Sequence, residues 1–294
     1  MSYVSQQFLL CDNSSTANFK NWGQAISSAL SSSGWTQTTD TGQVNWSTVS
    51  VPASGVFVYE IWQPGDALQT GATAYYVKIN YGTSSGSPAG PRLQIQIGTG
   101  TDGSGNLTGI TSTNFESSAT NNAGKGSILT YPSYFSGDTT RFHMILWMWV
   151  GAVPGPSMYS IERTYNTDGT QSSDGVSIVM AGNNGTVTNR GQQTVAFGLG
   201  AAQQSAASSY IQLSDFNNAS GSFNGTIPVS PCFPQYGKYG SPMTGVAFVH
   251  TQDVAEQCLF TATLYGATRT YMATGNAVVA QPSNALTKLC MRFD

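Results

Sequence analysis

Most of the chain alternates apolar and polar residues with a period of two, which restricts its fold more than any other feature. The segment RLQIQIG places Leu93, Ile95 and Ile97 on one side of an extended strand, and AYYVKINYG alternates in the same way. Residues 141–152, RFHMILWMWVGA, are apolar at both parities, which predicts a central strand covered on two faces. Clusters such as NTDGTQSSDG favour turns between strands. We therefore expect an all-β fold, an antiparallel β-sandwich or jelly roll.

One segment shows a helical period instead. Between residues 16 and 32, apolar residues recur at every third or fourth position. Ser15 or Thr16 can cap the start of this helix, and Gly34 suits the position after its end. Since the chain has no fixed-period repeat and no long linker, we expect residues 1–294 to form a single β-sandwich domain with one short N-terminal helix.

The composition is poor in charge. Charged residues make up 9% of the chain, against about 25% in ordinary soluble domains, so Ser, Thr, Asn, Gln and Gly must supply the polar surface. A net charge of -3 gives no basic footprint for nucleic acid. No apolar run approaches the ~20 residues that span a bilayer, and the N-terminus lacks the regions of a secretory signal. We expect a soluble protein made in a cytosol, with neither nucleic acid nor a membrane as a partner.

The glycines of IGTGTDGSGNLTG, residues 97–109, have the spacing of a dinucleotide-binding motif. That motif requires a helix directly after the glycines. The continuation SGNLTGITSTNF is rich in glycine and β-branched residues and cannot begin a helix. We therefore predict a hairpin, with its turn at Asp102-Gly103 or Gly105-Asn106, and no nucleotide cofactor.

The same segment matches a calcium-binding loop poorly. An EF-hand loop that starts at Asp102 would need Gly at its sixth position and Glu at its twelfth, where this chain has Leu107 and Thr113. A looser calcium site that uses Asp168 or Asp174 stays open as an alternative. Because no ligand set in the sequence is complete, we expect no metal and no other cofactor.

The four cysteines are widely separated. No two of them form a C-x-x-C pair, and no histidine lies at ligand spacing from any of them, which argues against a structural zinc site. Buried thiols are the expected state, and one or two disulfides are the alternative. The residues concerned are Cys11, Cys232, Cys258 and Cys290.

Two histidines are the only candidates for nucleophile activation. His143 lies inside the doubly apolar strand, so we expect a structural role for it. His250 has Asp253 and Glu256 nearby in sequence, but no glycine-flanked serine accompanies it. A hydrolase that uses His250 with a neighbouring carboxylate is therefore the weakest functional alternative, and we expect no enzyme. A carboxylate pair like that of the glycosidases is disfavoured by the low charge.

Tyrosine and tryptophan are numerous for a chain with so few charges. Tyr236 and Tyr239 lie in PCFPQYGKYGSP, which prolines and glycines mark as a loop. Three roles stay open for them: local packing, a subunit interface, and a platform on which a sugar ring stacks. They are the candidate contact residues of the sequence.

Four segments in succession carry a resemblance. They are FKNWGQAISSALSSSGWTQTTDTGQVNW, YEIWQPGDALQTGATAYYVKINYGTSSG, LQIQIGTGTDGSGNLTG and YSIERTYNTDGTQSSDGVSI. In content and order, over residues 19 to about 180, they resemble uncharacterised structural proteins of tailed bacteriophages. In that family the YEIW element usually carries a basic residue where this chain has Gln63 and Pro64, so the resemblance implies no charge-based role there.

The resemblance implies a non-enzymatic component of a tailed phage virion, placed on the tail, baseplate or neck. Such a protein is made in the host bacterial cytoplasm and binds other virion proteins and copies of itself. The resemblance brings no catalytic residues. Two alternatives stay open: a capsid decoration or vertex protein, and a carbohydrate-binding module that acts in adsorption to a host surface glycan.

Overall fold

The described residues form mostly β-strand, with one α-helix and antiparallel sheets, which confirms the predicted all-β class. None of the helices in the described part of the chain is long and apolar enough to cross a membrane. The computed structural model describes residues 2–10, 12–84, 89–109, 115–118, 130–150, 153–166, 168, 170–182, 191–196, 229–232, 235–236, 239–240, 242–249, 254–255, 257–273 and 288–294.

The described elements are short strands, preceded near the N-terminus by one α-helix that follows the first strand. In chain order they are β1 (Tyr3–Leu10), α1 (Thr16–Ser32), β2 (Thr36–Gln37), β3 (Phe57–Gln63), a 3-10 turn (Gly71–Thr73), β4 (Tyr76–Thr83), β5 (Pro91–Gly98), β6 (Gly100–Thr101), β7 (Leu107–Thr108), β8 (Phe115–Ser118), β9 (Thr130–Asp138), β10 (Arg141–Val150), β11 (Val153–Tyr165), β12 (Gln171–Gly182), β13 (Gly191–Ala196), β14 (Val229–Pro231), β15 (Gln235–Tyr236), β16 (Tyr239–Gly240), β17 (Val246–Val249), β18 (Leu259–Leu264), β19 (Ala267–Ala273) and β20 (Lys288–Arg292).

Three antiparallel sheets contain most of these strands. The central sheet has the order β1-β9-β10-β11-β12-β13, the N-terminal sheet β2-β3-β4-β5-β8, and the C-terminal sheet β14-β17-β20-β19-β18. Strands β6 and β7, and strands β15 and β16, form two further pairs. The order β17-β20-β19-β18 is that of a Greek key, a connection found in most β-sandwiches.

Helix α1 begins and ends where its sequence predicts. The Ser15 hydroxyl accepts a hydrogen bond from the backbone N–H of Asn18 at 3.2 Å and so caps the first turn. Gly34 follows the last turn at φ +86°, a conformation that suits glycine. These caps confirm the predicted boundaries of 16 and 32.

Two apolar cores lie on opposite faces of the central sheet. The first unites α1, the N-terminal sheet and one face of the central sheet, and the second joins the other face to the C-terminal sheet. Strand β10 contributes Phe142, Met144 and Leu146 to the first core and Ile145 to the second. The prediction that residues 141–152 contain a central, doubly covered strand is therefore confirmed.

The alternating strands also match their predicted faces. Leu93, Ile95 and Ile97 of β5 are completely buried, whereas the polar residues between them are only partly covered. In β4, Val77 and Ile79 face the same core. The finer descriptions of the fold as a sandwich or jelly roll, and as a single domain, stay predictions.

Candidate functional site

The glycine-rich segment forms the predicted hairpin. Strands β6 and β7 pair antiparallel, and the Asp102 carboxylate between them accepts backbone N–H groups of Ser104 and Asn106 at 2.8 and 3.0 Å. Gly103 and Gly105 have φ of +74° and +90°, which the turn requires. Hydrogen bonds from Asn106, first its side chain and then its backbone, lower the pKa of the Asp102 carboxyl.

Asp168 and Asp174 are the other candidate calcium ligands. Asp168 accepts the backbone N–H of Thr170 at 2.9 Å and its hydroxyl at 2.6 Å, which closes an exposed turn. Asp174 lies in β12, and its side chain falls outside the described part of the structure. Among the described side chains, no three His, Cys, Asp or Glu residues gather where they could hold a metal ion.

The cysteines differ from the expectation at one position. Cys232 and Cys290 are buried thiols, as predicted, and burial raises the pKa of Cys232. Cys258 is a thiol that is exposed, so the expectation of a buried thiol is wrong there. This residue precedes the first residue of β18, which is itself exposed, so no core covers the thiol. Cys11 lies outside the described residues.

His143 lies in the second core, between the central and C-terminal sheets. Its ring is completely buried, and Nδ1 makes a 2.6 Å hydrogen bond with the hydroxyl of Ser160 on β11. Burial is the main reason why the pKa of the imidazole lies well below its usual value. Since Ser160 is also completely buried, this pair offers no hydroxyl to a substrate. The environment agrees with the expected structural role.

His250, Asp253 and Glu256, the predicted alternative for hydrolysis, lie outside the described residues.

Glu162 is a second buried titratable group beside His143. Its Oε2 lies 3.9 Å from His143 Nε2 and accepts the backbone N–H of Gly245 at 2.9 Å, while Oε1 accepts the N–H of Thr244. Burial raises the pKa of Glu162 to about 7, although Arg141 and these N–H groups act in the opposite direction. The carboxyl thus fastens the loop before β17 to the central sheet.

Gly245 is required by this contact. A Cβ atom at its position would lie 2.0 Å from His143 Nε2 and 2.7 Å from Glu162 Oε2. No other residue allows the backbone to approach the pair so closely.

An open pocket of about 290 Å³ lies at the seam between the central and C-terminal sheets. We call it the seam pocket. Three arginines and three tyrosines dominate its lining, which makes it both cationic and aromatic. The lining residues are Arg141, Tyr165, Asp168, Thr244, Leu264, Tyr265, Ala267, Arg269, Tyr271 and Arg292.

Two of the three guanidinium groups are neutralised within the protein. Arg141 pairs with Asp138 at 2.6 Å, and Arg292 pairs with Asp294. Arg269 makes no hydrogen bond or ion pair with any residue that the structure describes. It is therefore the arginine of the seam pocket that is available to a ligand.

Tyr265 occupies an unusual position at the rim of the seam pocket. It has φ +52° and is followed by Gly266 at φ +75°, the pattern of a type I′ turn between β18 and β19. A bulky residue rarely adopts this conformation, and such outliers concentrate at functional positions. Its side chain is 45% exposed.

Among the described strands, β1 forms one edge of the central sheet. Its sequence, YVSQQFLL, contains no charged residue and no proline, and among the described strands it pairs only with β9. Phe8 is 67% exposed and Val4 is 40% exposed, and together they are two of the five exposed large apolar side chains in the described structure. Soluble proteins usually protect such edges with charges, prolines or covering segments.

Tyr236 and Tyr239 oppose each other in the short β15–β16 pair. The sequence predicts a loop for these residues, and the structure refines this to a small hairpin. Their side chains lie outside the described part of the structure, so the roles predicted for them stay predictions.

Two acidic residues of the YEIWQPGDALQ element have structural roles. Glu60 is buried and accepts hydrogen bonds from Trp46, Tyr81 and Ser27 at 2.7 to 2.8 Å, which ties α1 to the N-terminal sheet. Asp66 forms an ion pair with Arg163 of β11. This element therefore fastens three parts of the fold together.

Neither the seam pocket nor the β1 edge is predicted by the sequence. The pocket unites residues from β10, β19 and β20, which are far apart in sequence. Residues 3–10 form an apolar-rich strand without any charge, but nothing in the sequence shows that this strand lies at an edge.

Comparison with protein-family models, with curated proteins and with solved structures finds no match.

Proposed function

We propose that this protein is a non-enzymatic structural subunit of a tailed phage virion, associated with the tail, baseplate or neck. The observation that carries the proposal is the β1 edge. An uncharged strand of eight residues with an exposed phenylalanine suits a protein whose edge another chain covers after assembly. A capsid decoration or vertex protein would use the same surface and is the alternative position in the virion.

The scarcity of charge supports the same proposal. The chain has 11 basic and 14 acidic residues, and several of them are consumed in internal pairs such as Arg163–Asp66 and Arg141–Asp138. Contacts between subunits must therefore rely on strand pairing, aromatic residues and neutral hydrogen bonds. In this proposal the stacked sheets form a β-sandwich, because each neighbouring pair shares a core.

The salt dependence of assembly tests this function. Salt screens exposed ion pairs, and at 1 M the Debye length is only about 3 Å. We expect oligomers of the purified chain, measured by light scattering, to persist from low salt to about 1 M. Dissociation at moderate salt, or a strictly monomeric chain that binds a sugar, would contradict the proposal.

A carbohydrate-binding adsorption module is the second candidate, and the seam pocket favours it. Tyrosine rings stack on the apolar faces of sugars, and the exposed Tyr265 stands at the rim. Arg269 can donate to hydroxyl or carboxylate oxygens, and Asp168 can accept from hydroxyls. The ligand of this candidate is a host surface glycan.

A further inference from the structure

The pattern of apolar and polar residues in β1 is symmetric about Gln6. In residues 3–9, YVSQQFL, two apolar residues at each end enclose three polar residues. If two copies lie antiparallel with Gln6 opposite Gln6, then Val4 opposes Phe8 and Ser5 opposes Gln7. Within residues 3–9 every apolar residue then meets an apolar one, and Leu10 lies opposite Ser2 at the end of the pairing.

We propose that two copies of the chain pair through their β1 strands about a two-fold axis at Gln6, which joins two central sheets into one continuous sheet of twelve strands. This inference rests on the proposed function, because it assigns the surface through which repeated subunits meet. The occupant of the β1 edge is thus a second copy of this chain.

The faces of the sheet agree with this pairing. Gln6 lies opposite Tyr134 of β9, which lies opposite Ile145 of β10, and both of these belong to the second core. Val4, Gln6 and Phe8 therefore share the face that the C-terminal sheet covers further along. At β1 this face is uncovered, as the exposure of Phe8 shows. Pairing would place Phe8 of each copy against Val4 of the other, a favourable cross-strand contact.

Neighbouring registers fit less well. A two-fold axis perpendicular to a continuous sheet must pass through a residue position, since a one-residue slip reverses the faces. An axis at Ser5 would place Phe8 opposite Ser2, and an axis at Gln7 would place Phe8 opposite Gln6. Of the three axes at Ser5, Gln6 and Gln7, only the one at Gln6 gives Phe8 an apolar partner.

Disulfide cross-linking tests the register. Directly opposed residues have Cβ atoms about 4.5–5.5 Å apart, close to the distance that a disulfide spans. In a background with Cys11 and Cys258 replaced by Ser, we expect Gln6→Cys to form a covalent dimer as the main species after mild oxidation.

The matched controls are single cysteines at the adjacent positions. Ser5→Cys alone and Gln7→Cys alone should stay uncross-linked, because each opposes the other position rather than itself. An equal mixture of these two variants should give the covalent dimer. Cross-linking of Ser5→Cys alone, or none for Gln6→Cys, would overturn the proposed register.

A charge at the edge tests the pairing without cysteines. Phe8→Lys should abolish the dimer in light scattering, whereas Val56→Lys, the same kind of change at a distant exposed apolar residue, should leave it intact. If Phe8→Lys still dimerises and Gln6→Cys does not cross-link, the proposed β1 pairing is wrong, whereas the proposed function as a repeated subunit is unaffected. A wild-type chain that is monomeric at all concentrations would contradict both the β1 pairing and the proposed function.

Discussion

Arg163 and Asp66 form a bidentate ion pair that is completely enclosed by the protein. The guanidinium Nε lies 2.9 Å from Oδ2 and one terminal nitrogen lies 3.0 Å from Oδ1, with the two side chains 0% and 1% exposed. Arg163 also donates to the carbonyl of Thr73 at 2.9 Å and lies over the ring of Tyr75. The pair anchors the loop between β3 and β4 to the central sheet.

Removing one partner of this pair should be costly. Asp66→Asn leaves the buried guanidinium without its counter-charge, and such changes cost about 3–5 kcal/mol. Denaturant unfolding measures this loss. Asp168→Asn is the control, because that carboxylate is exposed and only closes its own turn, and its effect should be the smaller of the two. Equal effects of the two substitutions would contradict the account.

A glycine in the middle of α1 is fixed by a tryptophan. A Cβ at Gly23 would lie 1.9 Å from the ring of Trp46, whose indole N–H donates to Glu60 at 2.8 Å. Gly23→Ala should therefore destabilise the fold by about 1–3 kcal/mol through overpacking, although alanine favours helix by about 1 kcal/mol. Thermal melts of the two variants measure this change. Ser28→Ala, at an exposed position of α1, is the control and should leave the stability of the fold unchanged. A more stable Gly23→Ala chain would show that the ring moves freely.

The raised pKa of Glu162 predicts a pH dependence of stability. The folded chain holds this proton more tightly than the unfolded chain, so the stabilisation is complete below about pH 4.5 and is lost as the pH rises through about 7. His143 acts with the opposite sign, because its pKa is lowered by folding, and its contribution is lost as the pH falls below its ordinary value.

Glu162→Gln isolates the carboxyl from the histidine. Between about pH 4.5 and 8, the free energy of unfolding of the wild type should fall by about 3 kcal/mol relative to this variant, at about 1.4 kcal/mol for each pKa unit. Urea unfolding at several pH values gives both curves. Parallel curves would mean that Glu162 titrates alike in the folded and unfolded chains.

The seam pocket gives the second candidate function its own test. If it binds a sugar, Tyr265→Ala and Arg269→Gln should each reduce binding at least about tenfold, the equivalent of ~1.4 kcal/mol. Tyr265→Phe, which keeps the ring, should bind almost normally. Calorimetry with sugars selected on a glycan array makes the comparison. A wild-type chain that retains no sugar would remove this candidate.

Local sequence patterns determined the parts of the fold that could be predicted. The caps at Ser15 and Gly34 and the two-residue period of β5 are local signals, so α1 and the N-terminal sheet strands follow from them directly. Residues 141–152 are apolar on both faces of their strand, and this pattern identified the central sheet between the two cores. Each of these depends on residues that are neighbours in the chain.

The rest depended on contacts between distant residues. Arg163 meets Asp66 across almost a hundred positions, and the seam pocket exists only because the C-terminal sheet packs on the central sheet. The exposure of Phe8 depends on β1 being an edge strand, and a sequence does not show which strands form the edges. The loop predicted at Tyr236 and Tyr239 is a short hairpin, and its two strands of two residues each are too short to show an alternating pattern in the sequence.

The central claim, that this chain is a repeated virion subunit, is tested most directly by its copy number in purified phage particles. Quantitative mass spectrometry of particles from a producing host should find the chain at a fixed ratio to the other virion proteins, from about six to a few dozen copies for a tail position. Hundreds of copies would instead place it on the capsid as a decoration protein. Absence of the chain from purified particles, with the protein left in the soluble lysate, would contradict the account.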